Sequence, residues 1–369
     1  MLAHSARQSN WLPLVIDTFG DQEIAHLAQK NWVVPDLSQA SLEPVISAIK
    51  QYFDVDQLVY GSGFEFHLET LFWLSEHFTV LGNTSVTFQQ VQDKVFFFAT
   101  LQRLHIPFLE THFTAPSVGT DEWLVKPTSG EGGAGIHWYD SQESVADTVY
   151  WQRYQKGTVG SVLFVSDGKS VQIIGFNGQW VERGQTQYPF VFSGVRHCPL
   201  GRVAFGQQVL DWLNQLVGAF SLVGLNCLDF IINKGQLWVL EINPRPSASL
   251  MLYDGYCHNK LFERHVQGCM GHLIDIPAPS IDYHRGYQVL YAYYELVIPE
   301  QVKWPDWVLD KPGAGVIIPI NGPICSIIAA EQNTKRLTDL LNYRARVVYQ
   351  LLIYKEKVSS CNFMPVLIN

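Results

Sequence analysis

The sequence predicts an α/β protein of more than one domain, and three observations predict it. Short apolar runs, Leu14–Asp17 and Gln57–Tyr60 among them, alternate with helical spacing over residues 1–88, as buried parallel strands and covering helices do. Gly-rich turns separate longer apolar runs over residues 123–181. Residues 226–246 read as two strands joined by a Gly-containing turn, with Asp229, Glu241 and Asn243 interrupting β-branched and aromatic residues.

Composition narrows the function. The chain has 369 residues, enough for two or three domains, with 47% hydrophobic and 16% charged residues and no disordered tail in its composition. A formal charge of -9 weighs against nucleic acid or an anionic membrane as partner, so an anionic ligand needs a local cationic cluster. The cysteines at 198, 227, 257, 269, 325 and 361 show no CxxC pair and no metal-ligand spacing, which suits a reducing cytoplasm. No apolar run reaches the roughly 18 residues of a membrane-crossing helix, and the start lacks a signal-peptide pattern. A cytoplasmic location is the expectation.

Taken in order, the first layer opens almost directly on a helix-like segment, Leu2–Gln8. Such layers normally begin with a strand and a Gly-rich turn, so this one is minimal or the chain lacks an N-terminal piece. Gly61-Ser62-Gly63, after the second strand, forms a tight turn. The character changes from Leu81-Gly82-Asn83, and Thr87–Leu104 has helical spacing with Asp93-Lys94 in its middle. Ile106-Pro107-Phe108 then breaks into an extended segment.

Trp123–Pro127 is a strand carrying Lys126 near its end, and Thr128–Gly135 is a Gly-rich loop leading to the strand Ile136–Tyr139. Gly130, Gly132, Gly133 and Gly135 allow backbone amides to approach phosphate, since no Cβ intervenes. It is not a Walker loop, because no Gly-Lys-Ser/Thr follows and a strand comes next. Tyr150–Gly157 looks like a hinge between lobes, Ser161–Val165 is a strand, Val171–Val181 reads as a meander of short strands, and Arg202–Val217 is a helix.

In the hairpin, Glu241 and Asn243 project the same way because side chains alternate along a strand. A three-residue loop ending on a left-handed Gly235 brings Asp229 opposite or diagonal to Glu241, whereas an even-length loop separates them. An odd-length turn around Lys234-Gly235 is therefore expected. Two converging carboxylates and an amide repel unless a cation lies between, and such hard oxygens suit Mg²⁺ with phosphates completing its shell. Pro244 and Pro246 end the strand and place Arg245 at its exit. Residues 258–272 read as helical, Pro277-Ala278-Pro279 marks a boundary, and the tail holds a strand at Gln288–Ala292, a Pro/Gly-bounded piece at Asp310–Gly313, Gly322–Ile328 and a final amphipathic helix over Thr334–Tyr354.

Together Lys94, Lys126 with the Gly130–Gly135 loop, the Gln152–Gly157 segment, Asp229 and Glu241-Ile242-Asn243-Pro244-Arg245-Pro246 resemble the ATP-grasp superfamily, over roughly residues 10–275. More narrowly the chain resembles carboligase-like relatives of biotin carboxylase, some of which accompany pterin-linked one-carbon metabolism. The resemblance implies an ATP-grasp fold, α+β in its ATP-binding part, in which two lobes clasp ATP. It places an N-terminal Rossmann-like domain at 1–88 and the ATP-grasp domain at 89–275, its small lobe over about 89–156 and its large lobe over about 157–275. A C-terminal α/β extension follows at 276–369.

The resemblance further implies ATP and Mg²⁺ (or Mn²⁺) as cofactors. Lys94 and Lys126 would meet the nucleotide phosphates under the 130–135 loop, and Gln152, Arg153 and Tyr154 the adenine. Asp229, Glu241 and Asn243 would hold the metal, with Arg245 near the transferred phosphate. Relatives often carry Glu where this chain has Gln152. Arg196 is a candidate for holding a substrate carboxylate or acyl phosphate. The expected activity is a carboxylate-amine ligase acting through an acyl phosphate on small-molecule substrates. Two alternatives stand beside it, a biotin-carboxylase-like component and a nucleotide-binding protein without turnover. The tail either caps the site or forms a homodimer face.

Overall fold

A computed structural model of the chain describes residues 1–117, 122–141, 148–182, 189–256 and 260–353. Its centre is an eight-stranded antiparallel sheet, in the spatial order Gln236–Asn243, Val223–Asn233, Thr158–Asp167, Val171–Val181, Phe192–His197, His284–Tyr291, Pro323–Glu331 and Val308–Leu309. The sheet runs without interruption from the carboxylate-bearing hairpin into the C-terminal region.

Two-residue periodicity divides the apolar side chains between its faces. Val162, Phe164, Phe176, Leu228 and Phe230 pack with Leu213 and Leu216 of the helix Pro199–Phe220 and with Phe97 and Leu101 of the helix Lys94–Arg103. Leu163, Val165, Ile174, Val195 and Leu225 pack with Leu250, Tyr253 and Leu261 on the other face. Farther along, Leu337, Leu341 and Val348 of the helix Thr334–Ile353 cover Leu290, Ile327 and Ala329. The final helix, expected over Thr334–Tyr354, is described over Thr334–Ile353; Tyr354 lies outside the described residues.

Val171–Val181 is one continuous strand with a register shift, not a meander. Its glycines serve close approach rather than turns: a Cβ on Gly175 would sit 2.3 Å from the Tyr253 ring, whose hydroxyl donates to the Phe176 carbonyl at 3.1 Å. The helical stretch Thr87–Leu104 is likewise two helices, Ser85–Gln92 and Lys94–Arg103. Asp93 ends the first and caps the second, its Oδ1 accepting from the Phe96 amide at 3.0 Å, because a short carboxylate satisfies amide donors that lack a helical acceptor. Tyr150–Arg153, expected as the first part of the hinge, belongs to the strand Val149–Arg153. The helix expected over 258–272 is Leu261–Cys269, with 257–259 outside the described residues.

A small four-stranded sheet, in the order Thr111–His112, Val149–Arg153, Trp123–Pro127 and His137–Trp138, faces the large one. The first 88 residues form an α/β layer with two pairs of parallel strands, Leu14–Asp17 with Lys30–Val33 and Gln57–Leu58 with Thr79–Val80. Asn83, 1% exposed, fastens this layer to the large sheet. Its Nδ2 donates to Asn226 Oδ1 at 2.7 Å and to the Pro244 carbonyl at 2.9 Å, and its Oδ1 accepts from the Val223 amide at 2.8 Å.

Candidate active site

The hairpin turn is Lys234-Gly235, both with positive φ (49° and 79°), the left-handed pair of a two-residue type I′ turn. The turn is even in length, contrary to the expectation of an odd one. The carboxylates nonetheless meet, because a bulge between Phe230 and Asp229 adds one residue on the facing strand: Phe230 pairs with Val239, then Asp229 with Glu241 and Cys227 with Asn243. The bulge turns Glu241 and Asn243 to the face of Asp229 and returns Ile242 to the apolar core.

Asp229 is partly buried. Gln179 donates to its Oδ1 at 3.0 Å and Asn243 to its Oδ2 at 2.9 Å. Burial, and then the neighbouring charge of Glu241, push its carboxyl well above the ordinary range. Lys94 stands at the first position of its helix, where the helix dipole disfavours a cation, and its Nζ lies 3.7 Å from Glu241 Oε2. Lys126 Nζ donates to Gln152 Oε1 at 3.1 Å, and Gln152 Nε2 to Thr111 Oγ1 at 3.1 Å. Burial brings the Lys126 ammonium down to about 8, with Glu241 pulling it up and Lys94 pushing it down.

The oxygens of Asp229, Glu241 and Asn243 fit a hard divalent cation: two carboxylates paired across a ladder, one driven toward protonation by burial and then by the charge of the other, call for positive charge between them. No group of three or more His, Cys, Asp or Glu gathers as a metal cage among the described residues. A shell completed by phosphate oxygens suits that small donor set.

Gly132, Gly133 and Gly135 adopt positive φ (60°, 76° and 78°). The Gly132 carbonyl accepts from the Phe192 amide at 2.7 Å, and a Cβ on Gly133 would fall 2.1 Å from the Phe190 carbonyl oxygen. The Gly130–Gly135 loop therefore lies against the entry of the Phe192–His197 strand, bridging the small lobe to the large sheet. Gln152 is buried, whereas Arg153 points outward to Glu110 and Glu122, at 3.3 and 2.6 Å. Tyr154 joins Trp138 and Phe190 in a half-exposed aromatic group beside the same loop, with ring centroids 4.7 and 6.3 Å away.

Arg245 is 8% exposed and held by Glu65 of the N-terminal layer, Nε to Oε1 at 2.5 Å, and more loosely by Glu131 of the Gly-rich loop, Nη2 to Oε2 at 3.6 Å. Neither glutamate stood out in the sequence; the only signals were the Gly61-Ser62-Gly63 turn two residues before Glu65 and the lone charge among the loop glycines. Arg196 is not brought into this group. Arg196 pairs with Gly178, and Val195 with Gln179, the donor to Asp229, so alternation sends Arg196 to the opposite face of the sheet.

A large sheet bearing paired acids stands with a small sheet bearing a lysine and a Gly-rich loop, a two-part α/β arrangement. Residues 91–249 match the family model of the ATP-grasp domain, and the chain has the ATP-grasp fold. Over 245 residues the chain is 22% identical to the carbamoyl phosphate synthase arginine-specific large chain of Halalkalibacterium halodurans, covering 60% of this chain and 22% of that one. It spans about a fifth of the length of the curated relatives it matches.

Among solved structures, the biotin carboxylase domain dimer of 2-oxoglutarate carboxylase from Hydrogenobacter thermophilus, in complex with MgADP, ADP and bicarbonate, is similar with a TM-score of 0.72 and 11% identity, covering 93% of this chain and 86% of that one. N5-carboxyaminoimidazole ribonucleotide synthetase from Thermotoga maritima is similar with a TM-score of 0.68 and 14% identity, covering 94% of both chains.

Proposed function

We propose that the chain is an ATP- and Mg²⁺-dependent ligase that activates a small carboxylate as an acyl phosphate for attack by an amine or similar nucleophile. The observation that supports this most is the Asp229–Glu241 pair set across from Lys94 and Lys126, an alternation of charge suited to a metal-triphosphate and to little else of that size. In this reading Lys94 and Lys126 bind the phosphates and the Gly130–Gly135 loop covers them. The adenine lies by the Tyr154 group and the adjacent backbone, since the Gln152 side chain already bridges Lys126 and Thr111.

Mg²⁺, held by Asp229, Glu241 and Asn243, would neutralise phosphate charge and fix alignment. The substrate carboxylate attacks the γ-phosphorus as the bond to ADP breaks, and the nucleophile then adds to the acyl carbon while phosphate departs. The barrier lies in bringing anions together, and Lys94, Lys126 and Arg245 lower it by charge neutralisation and positioning rather than by covalent participation. The division into domains at 1–88, 89–275 and 276–369, and a cytoplasmic location, belong to the same proposal.

The test is a screen of carboxylates and amines for dependent ADP release, with mass analysis of the product. ADP release that requires both partners and yields their amide supports the ligase. Release that depends on bicarbonate and on no amine would replace it with carboxylase chemistry. Nucleotide binding without release under any pair would leave only the binding protein.

A further inference from the structure

Arg245 is gripped by its two glutamates in unlike ways. Glu65 is 7% exposed, meets Nε at 2.5 Å, and has its other oxygen held by the Gly63 amide at 2.7 Å. It is a fixed partner in the short helical turn Phe64–Phe66 that follows Gly61-Ser62-Gly63. Glu131 has a side chain 44% exposed, stands 3.6 Å from Nη2, and sits in a loop whose glycines 132, 133 and 135 all take left-handed conformations. That contact is longer than a hydrogen bond, made by a half-solvated carboxylate on the most permissive backbone of the site.

A guanidinium presents a planar fork suited to an oxyanion on each edge. Glu65 takes the Nε edge, and Nη1 lies 3.4 Å from the Pro246 carbonyl, so the Nη2 corner is where a further oxyanion can join. Glu131 is itself an oxyanion at that corner. Three negative groups cannot share one guanidinium without strong mutual repulsion. Burial and the charge of Glu65 already raise the Glu131 carboxyl, which accords with crowding.

We infer that Glu131 competes with a ligand oxyanion for the Nη2 corner of Arg245, while Glu65 is the positioning residue that keeps the guanidinium aimed at it. The inference rests on the proposed nucleotide site and adds a displacement to it: a phosphate or carboxylate engages Arg245 only as Glu131 leaves. The glycines around Glu131 permit that movement, and Glu65, anchored in the N-terminal layer, does not follow. The N-terminal layer thereby contributes directly to the site through Glu65.

The experiment is a calorimetric titration of inorganic phosphate into the full chain and its Glu131→Gln and Glu65→Gln variants, with and without saturating MgADP. Glu131→Gln should bind phosphate about two- to five-fold more tightly than the parent, the strength of a half-exposed ion pair. Glu65→Gln should bind it about ten-fold more weakly. A gain of affinity on removing a charged group is not what a merely structural role produces. Equal or weaker phosphate binding by Glu131→Gln, or no phosphate binding by either protein, overturns the inference. MgADP binding by the parent is read separately: its absence refutes the nucleotide site, while the ratio of phosphate affinities still decides the competition.

Discussion

At the scale of single residues, the site is a balance of charge in which each group has a checkable part. Glu241 belongs to the acid pair and also meets Lys94. If Glu241 holds the metal as proposed, Glu241→Gln should lower ADP release by a factor on the order of 10²–10⁴, with circular dichroism unchanged. Near-parental turnover would sink the metal assignment.

Lys126 gives a pH signature whose sign follows from its depressed value. Its ordinary value is 10.5 and burial brings it to about 8, so it is charged below 8 and neutral above. MgADP affinity should therefore fall as pH rises through 8, by up to about tenfold per pH unit, and Lys126→Arg should flatten the profile. The folding stability of the free protein should move the other way. The cost of burying the ammonium is fully present below 8 and is relieved between 8 and 10.5. The acids and lysines of this balance were legible in the sequence because they interrupt apolar patterns or neighbour glycines. Glu65 was not, because a single glutamate after a turn has no period and no spacing to mark it. Arg196 lies apart from the group, and the sequence did not show this because a strand arginine reads the same on either face until register is known.

At the scale of the element, the hairpin shows what pattern reading resolves and what it misses. Strand identity followed from composition, but turn length and bulge are set by backbone geometry that leaves little trace in residue type. Lys234 holds φ at 49° without being glycine. Lys234→Asn should stabilise the protein by about 0.5 kcal/mol, since asparagine tolerates that conformation better. Gly235→Val should destabilise it by about 1–2 kcal/mol through φ alone, because nothing lies within 4 Å of a Cβ at that position. Thermal midpoints of the two variants, moving in opposite directions, check both. The two helices around Asp93 and the continuous strand over Val171–Val181 teach the same lesson, since capping and close glycine contacts resemble helix interiors and turns when only residue types are read.

At the scale of the whole molecule, an uninterrupted sheet carries the acids, and a separate small sheet carries Lys126 and Gln152. That overall division was legible, because the order of strand lysine, Gly-rich loop and acidic hairpin is specific even where each piece is weak. The fastening of the N-terminal layer was not, as it depends on Asn83, one buried amide with partners far along the chain. Asn83→Ala should cost about 2–4 kcal/mol by leaving the Val223 amide and the Pro244 carbonyl without a partner, read as a lower unfolding midpoint in urea.

The bulge in the hairpin also constrains how this protein can change length. A strand has a period of two, so a one-residue slip in pairing exchanges inside for outside along everything beyond it. Here a two-residue turn and one bulged residue jointly set the parity that unites Asp229 with Glu241. At the fixed sequence separation of Asp229 and Glu241, turn and bulge are thus linked: a turn one residue longer unites the acids only where the bulge is lost, and the present turn unites them only with the bulge intact.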